Sequence, residues 1–483
     1  MNIVSEMRTR LVLLAATLLV GALTGSAAAT EPVPTAPTAV PSPTVTGPIP
    51  ATARPGDPSH DYPFFATDQN LRAYGYVEEE YFVEGSANRY TTPDGATGTV
   101  IDGGHEYRTR IVVRRPVSPR KFNGTAIVEW YNVTNTFDYE VVWSRSFRHM
   151  LDAGYVWVGV SAQAAGVHSG RGLKTWNPDR YGTLDLTDGG TVTDDSLSYD
   201  VFSQAARALT HPRGANPLPG LKVRTLIATG QSQSASRLTT YANSVHPIAP
   251  TYDAIAIIDG GVQLRTDLTT KVFKTASEYD VLSNQAARRQ PDTDRFVHWE
   301  IAGASHSDRH AYLVNNPIRL RDAGVSGLLA GPTAPCVAPA RSNVPYEHVQ
   351  NAMFDHIVRW VRHGGHPPAG PKIEITDTGT RPATVTRDAY QIVKGGIRLA
   401  AVAVPTERNT GWNTGLTPDR DSACAQGGTW IPFDTTTLRE LYPTHASSVH
   451  AVRQAVAQNL RDGFLVRADA EATIRAAERA DVP

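Results

Sequence analysis

The chain has 483 residues, 41% hydrophobic and 19% charged, which is enough to bury a large core and excludes global disorder. Lysine and arginine (46) nearly balance aspartate and glutamate (47), so the basic excess of a nucleic-acid binder is missing. No charge run is long enough for an interaction tail, and the balance fits a small, neutral or weakly charged ligand.

The first element is a targeting segment. Arg8 and Arg10 precede the apolar run 11–23, and Ala27-Ala28-Ala29 offers a small-residue cleavage site. The run is short for a membrane span, and no later segment approaches the length. Residues 1–29 therefore read as a signal peptide cleaved near Ala29, and the mature protein as secreted without a transmembrane segment. No cysteine lies near the cleavage site, which argues against a lipid anchor. Residues 30–58, rich in Pro, Thr and Ala, read as a disordered linker, with association to a cell wall as its second reading.

Beyond residue 58 strand and helix patterns alternate. Residues 78–83 and 108–114 read as leading strands, 125–130 as a third, and 139–151, ended by Gly154, as a helix. The continuous apolar run 155–160 suits a strand buried on both faces. After a polar insertion, 200–209 reads as a helix, 223–228 as a strand and 234–243 as a helix. Strands at 252–258, 272–275 and 295–301 follow, then an amphipathic helix over 349–361. Residues 392–404 are strand-like, and helices are expected around 437–441 and 448–464. This alternation predicts an α/β fold with a mostly parallel eight-stranded sheet and helices on both faces. The core is expected over 59–370 and an accessory layer, packed on it, over 371–483.

The chemistry centres on Gly230-Gln231-Ser232-Gln233-Ser234, which joins a strand to a helix. A serine held at a sharp strand-to-helix turn is exposed as a nucleophile, and its neighbours two before and two after must be small. The plainer reading is a helix N-cap. His306, in the loop after the eighth strand, falls where the base of such a serine belongs; as one of 15 histidines it could also be an ordinary loop residue. The acid is sought after the seventh strand, where Glu278 and Asp280 both qualify. An oxyanion site is expected from the Gln233 N–H and a second amide near Tyr131 or Asn132, with Gln163 as a pocket-lining candidate. His306, Asp308 and His310 could suggest a metal site, but no H-E-x-x-H or C-x-x-C is present, so neither metal nor cofactor is expected.

Taken together, Glu-Trp-Tyr-Asn-Val-Thr (129–134), Val-Gly-Val-Ser-Ala-Gln (158–163), Trp-Asn-Pro-Asp-Arg-Tyr-Gly (176–182), Gly-Gln-Ser-Gln-Ser-Ala (230–235) and Trp299-Glu-Ile-Ala-Gly with His306 resemble the secreted bacterial α/β-hydrolase domain family. The likeness runs from about Gly75 to the C-terminus. It implies an α/β-hydrolase fold and a serine esterase cleaving carboxylic esters through an acyl-enzyme on Ser232, with a Ser-acid-His triad. In hydrolases the turn after the seventh strand resembles G-E-x-D; on that pattern Ser277 takes the glycine place, Glu278 the non-catalytic acid and Asp280 the triad acid. Substrates would be small or polymer-borne esters. The alternatives are a non-catalytic secreted or wall-binding protein on the same scaffold, or an acyltransferase or amidase.

Two further expectations concern the periphery. Cys336 and Cys424 are the only cysteines, and an exported protein meets an oxidising compartment, so they are expected to pair. Residues 260–271 are too short for a cap, so cover over the site must come from 163–195, 312–345 and the region after Pro367.

Overall fold

The computed structural model describes residues 39–326 and 335–483; the expected signal peptide and the first part of the linker lie outside them. Ten strands make one sheet: β1 (Thr44–Thr46), β2 (Tyr76–Tyr90), β3 (Val100–Pro116), β4 (Thr125–Trp130), β5 (Val156–Val160), β6 (Arg213–Gly214), β7 (Thr225–Gln231), β8 (Ala254–Ile258), β9 (Lys271–Ser277) and β10 (Phe296–Ile301). Their order is β10-β9-β8-β7-β4-β5-β3-β2-β1-β6. From β10 to β5 every pairing is parallel, while β3, β2 and β1 join antiparallel at the other side.

The apolar runs explain the parallel half. Every residue of β4, β5, β7, β8 and β10 is buried, as strands covered on both faces must be. Alternation divides each strand between two cores: Ala126, Val128 and Trp130 pack on one face, Ile127 on the other. The first face is closed by Phe202 of α2 (Ser198–Thr210) and Leu238 of α3 (Gln233–Thr240). The second is closed by Trp143 and Phe147 of α1 (Val142–Ala153) and by Met353, Ile357 and Trp360 of α5 (Tyr346–His363). Between them in sequence, α4 (Arg309–Ile318) follows the His306 loop.

The sheet has ten strands where eight were expected, because β1 and β6 extend its edge. β1 lies inside the stretch read as a disordered linker. Thr44-Val45-Thr46 pairs with β2 through Val45↔Val83, and Val45 is buried. Proline-rich composition hides this because the partner strand, not the local sequence, rewards the alternation; without it the long β2 would present a bare edge. Residues 39–58 are tied further by Arg180, whose Nη1 donates to the Pro50 carbonyl at 2.7 Å.

Residues 392–404 are not a strand. Gly395 and Gly396 take φ of 72° and 66°, which turns the chain; three isolated bridges, Arg387↔Val393, Ile373↔Gly395 and Ile301↔Ile397, and a helical turn, Ala400–Ala403, remain. The rest of the C-terminal region holds α6 (Asp421–Gly427), α7 (His445–Asp462) and an unexpected α8 (Arg467–Arg479). Ile373, Ile392, Ile397, Val402 and Phe464 belong to the same core as Trp299 and Trp360. The Trp299 Nε1–H donates to Pro368 O at 2.8 Å and the Ile397 N–H to Glu300 O at 2.7 Å. Cys336 and Cys424, 88 residues apart, are bonded and join the segment after residue 335 to α6. Among the described residues no helix is long and apolar enough to cross a membrane.

A chain ending at Gly370 should not fold, because it strips Ile392, Ile397 and Val402 from the second core. A cooperative melt with native near-ultraviolet dichroism from that truncation would refute this. Alkylation of the native protein without reductant should label no thiol, and replacing both cysteines by serine should cost about 4 kcal/mol or less in denaturant unfolding.

Candidate active site

β7 runs into α3 through Ser232, which adopts φ 61°, ψ −114°. A non-glycine residue in that region is strained, and the surroundings must hold it there. The Ser232 N–H donates to Ile258 O at 3.0 Å, pinning the turn to β8. A Cβ on Gly230 would meet the Ser234 Cβ at 2.8 Å, so the crowding expected two residues either side of the serine is present.

His306 and Asp280 meet this serine. The Ser232 Oγ lies 2.8 Å from His306 Nε2, and His306 Nδ1 lies 3.2 and 3.1 Å from the two Asp280 oxygens. Asp280 also accepts from the Ser277 hydroxyl at 2.5 Å, so Ser277, in the place glycine takes elsewhere, contributes a bond of its own. Glu278 points away from the histidine. Its Oε2 accepts from the Gly303 N–H at 2.9 Å and its Oε1 from Arg387 Nη2 at 2.9 Å, a buried peg between the loop after β10 and the C-terminal region.

Burial alone would lower the His306 pKa, but the Asp280 charge and hydrogen bond, with Asp259 behind it, raise it above the ordinary value of 6.5. Asp280 is pulled the opposite way: burial would raise it, and the imidazole and its hydrogen bonds bring it below the ordinary carboxyl value. Asp259, at the end of β8, is pushed up to about 7 by burial and by the Asp280 charge beside it. It accepts from Tyr346 Oη at 2.7 Å, from the Ser277 N–H at 2.9 Å and from Arg145 Nη1 at 2.9 Å. Arg145 of α1 also donates through Nε to Asp308 at 2.7 Å and through Nη2 to His306 O at 3.0 Å. Sequence reasoning missed Asp259 and Arg145; an acid closing a buried strand and an arginine inside an apolar helix face were the available signals.

Among the described residues one group could present three metal ligands together, Asp259, Asp280 and His306, with ligand atoms within 4.8 Å. Their oxygens and nitrogens are already engaged by Arg145, Tyr346, Ser277, Ser232 and one another. His310 turns elsewhere, its Nδ1 3.7 Å from Glu347, so His306, Asp308 and His310 do not converge.

The oxyanion expectation needs correction. The Tyr131 N–H donates to Val160 O at 3.2 Å and the Asn132 N–H to Tyr139 O at 3.0 Å, because the sheet pairing continues one residue and the following loop closes on itself. Gln233 is the first residue of α3, where amides lack an acceptor within the helix. The Asn132 side chain lines the cavity with Ser232, and its Nδ2 donates to Gln231 O at 3.1 Å. Gln163 does not line the cavities beside Ser232. It is buried and exchanges amide hydrogen bonds with Gln233 at 2.5 and 3.1 Å, holding the start of α3.

Ser232 and His306 sit between two cavities of about 310 and 320 Å³. The first is walled by Tyr312, Arg319 and Arg341 and by Asp419, Ser422 and Gln426 around α6; Gln426 reaches the second as well. Cover thus comes from the 312–345 and C-terminal segments as expected, whereas residues 163–195 line neither cavity.

A parallel sheet with helices on both faces, a strained serine after its fifth long strand, and a histidine and acid at the ends of later strands define an α/β-hydrolase fold. Residues 45–475 match the alpha/beta hydrolase domain family, and the chain belongs to it. No curated protein matches the sequence. Among solved structures, the chain is similar to an alpha-beta serine hydrolase homologue from Coxiella burnetii, at 11% identity over 46% of this chain and 93% of that one, TM-score 0.26. It is also similar to a glucuronoyl esterase from Solibacter usitatus (7% identity, 44% and 66%, TM-score 0.25) and to acetyl xylan esterase 1 from Thermoanaerobacterium sp. JW/SL YS485 (11% identity, 43% and 69%, TM-score 0.25). Likenesses this distant bear on neither substrate nor mechanism.

The two acids should behave differently. Asp280→Asn should lower the His306 pKa, read by the imidazole resonances, because the charge that raises it is gone. Glu278→Gln should leave that titration in place and cost about 1–3 kcal/mol of stability, since Arg387 loses its charged acceptor. A His306 titration that moves with Glu278→Gln and not with Asp280→Asn would reverse the assignment.

Proposed function

We propose that this protein is an exported serine esterase that hydrolyses carboxylic esters through an acyl-enzyme on Ser232. The observation that carries the reading is the continuous hydrogen-bonded line from the Ser232 Oγ through both nitrogens of His306 to Asp280. His306 Nε2 takes the serine proton as Oγ attacks the ester carbonyl, and Asp280 holds the proton on Nδ1 and stabilises the imidazolium. The oxyanion receives the Gln233 N–H, with the second hydrogen of Asn132 Nδ2 as the side-chain donor. The imidazolium returns its proton to the departing alcohol, leaving the acyl group on Oγ. A water, deprotonated by the same nitrogen, then releases the acid and restores the serine. The disulfide between Cys336 and Cys424 supports export, since such bonds persist in oxidising compartments. Small or polymer-borne esters are the proposed substrates.

Short-chain nitrophenyl esters test the reading. Turnover should vanish in Ser232→Ala and fall by up to about four orders of magnitude in Asp280→Asn. Because only the neutral imidazole accepts a proton, kcat/KM should rise with pH through an inflection above 6.5. An inflection below that value would contradict the charge assignment. Folded protein without turnover on any ester would leave a binding scaffold instead.

A further inference from the structure

Three arginines line the cavity beside Ser232: Arg145, Arg319 and Arg341. The first is fully answered by Asp259, Asp308 and the His306 carbonyl. The other two are not. Among the described residues no carboxylate lies within ion-pair distance of either, and 327–334 contain no acidic residue. Arg341 is 6% exposed. Its Nη1 donates to Ser307 O and Oγ, both at 2.9 Å, and its guanidinium lies 3.9 Å over the Tyr312 ring. Arg319 sits over Tyr139 and Phe137, at 5.2 and 5.8 Å. In both, Nε–H is buried with no acceptor.

The Arg341 guanidinium, taken out of water and met only by neutral groups, is unfavourable unless something negative joins it, and the half-buried Arg319 lines the same cavity with its Nε–H unanswered. The acids at the same cavity do not serve. Asp308 is committed to Arg145 and the Ala311 N–H, and Asp419, 69% exposed at the rim, accepts from Thr417 and pairs with Arg420. Ser307, which holds Arg341, is the residue after His306, and Arg341, Ser232 and His306 line one cavity, so the unanswered charge faces the same space as the serine.

We propose that the half of the substrate seated in this cavity carries a carboxylate, bound by Arg341 and Arg319, so that the enzyme selects esters with an anionic group close to the scissile bond. That the ligand is an ester rests on the esterase reading; the anion site does not.

Two pairs of esters test the inference, one for each half of the substrate. In the first, para-nitrophenyl hemiglutarate is compared with the ester in which an isopropyl group replaces the carboxylate. In the second, the acetate of para-hydroxybenzoate is compared with that of para-isopropylphenol, each rate divided by its alkaline hydrolysis rate. In one pair kcat/KM should favour the carboxylate by about tenfold or more, and added salt should shrink the ratio. Arg341→Gln and Arg319→Gln should each collapse the ratio; Arg319, half-buried, serves if the Arg341 variant does not fold. Ratios near unity or below in both pairs, or ratios unmoved by the folded variants, overturn the anion site alone. Calorimetric titration of benzoate into the Ser232→Ala protein reads the site without turnover. If no ester is hydrolysed but benzoate binds and Arg319→Gln weakens it, the esterase reading falls and the anion site stands. If benzoate does not bind either, both fall.

Discussion

Arg145 leaves α1 with no access to solvent, so its charge has to be met by groups the protein itself supplies. Three groups meet it, and each belongs to a different part of the site. Asp259 ends β8, Asp308 starts α4, and the His306 carbonyl lies in the loop between β10 and α4. The Tyr346 ring, 4.0 Å beneath the guanidinium, brings in α5. Removing these acceptors would leave a buried charge under-compensated, which costs about 3–5 kcal/mol when a buried pair is broken, so the ion pairs favour the observed position of the loop carrying His306. The fork of five donors on a planar group makes this arrangement available to arginine and not to lysine.

Around that cation the carboxyl groups divide their work by what they accept. Asp280 faces the imidazole and stays ionised because the imidazole and Ser277 favour its charge over the opposing effect of burial. Asp259, equally buried, is pushed up to about 7 by burial first and then by the Asp280 charge beside it. Glu278 is withdrawn from His306 by two strong donors and ties the turn after β9 to Arg387 in the C-terminal region. Three acids within one turn and one strand end thus have three roles, set by donors that come from elsewhere in the chain.

The C-terminal region is as much part of the site as the sheet is. Trp412 stacks on Tyr279 at 5.2 Å, next to Asp280, and α6 supplies Ser422 and Gln426 to the cavity wall. The disulfide joins α6 to the segment that carries Arg341, so two walls of the same cavity are covalently tied. The hydrophobic contacts of Ile392, Ile397 and Val402 with the second core explain why this region folds onto the sheet instead of standing apart.

Periodicity was enough for the eight long strands and the three long helices between them, because an apolar run of five or six residues has few other ways to bury itself, but not for the short helices Ala164–His168, Leu173–Trp176 and Pro178–Tyr181. The motif and the chain order were enough to place Ser232 at the turn after β7 and His306 in the loop after β10, where the fold brings the two together. Spacing left Glu278 and Asp280 both open, and only the tertiary contacts show that Asp280 meets His306 while Glu278 accepts from Gly303 and Arg387. Local sequence could not reveal β1, since a three-residue strand among prolines exists only because β2 offers it a partner. Nor could it reveal that Gly395 and Gly396 turn the chain where apolar residues suggested a strand, or that the Tyr131 and Asn132 amides are already bonded. Asp259 and Arg145 left only a faint local signal, and Arg319 and Arg341 none, for the same reason. A charged side chain acquires its meaning from what it is buried against, and for these four the neighbours lie far away in the chain.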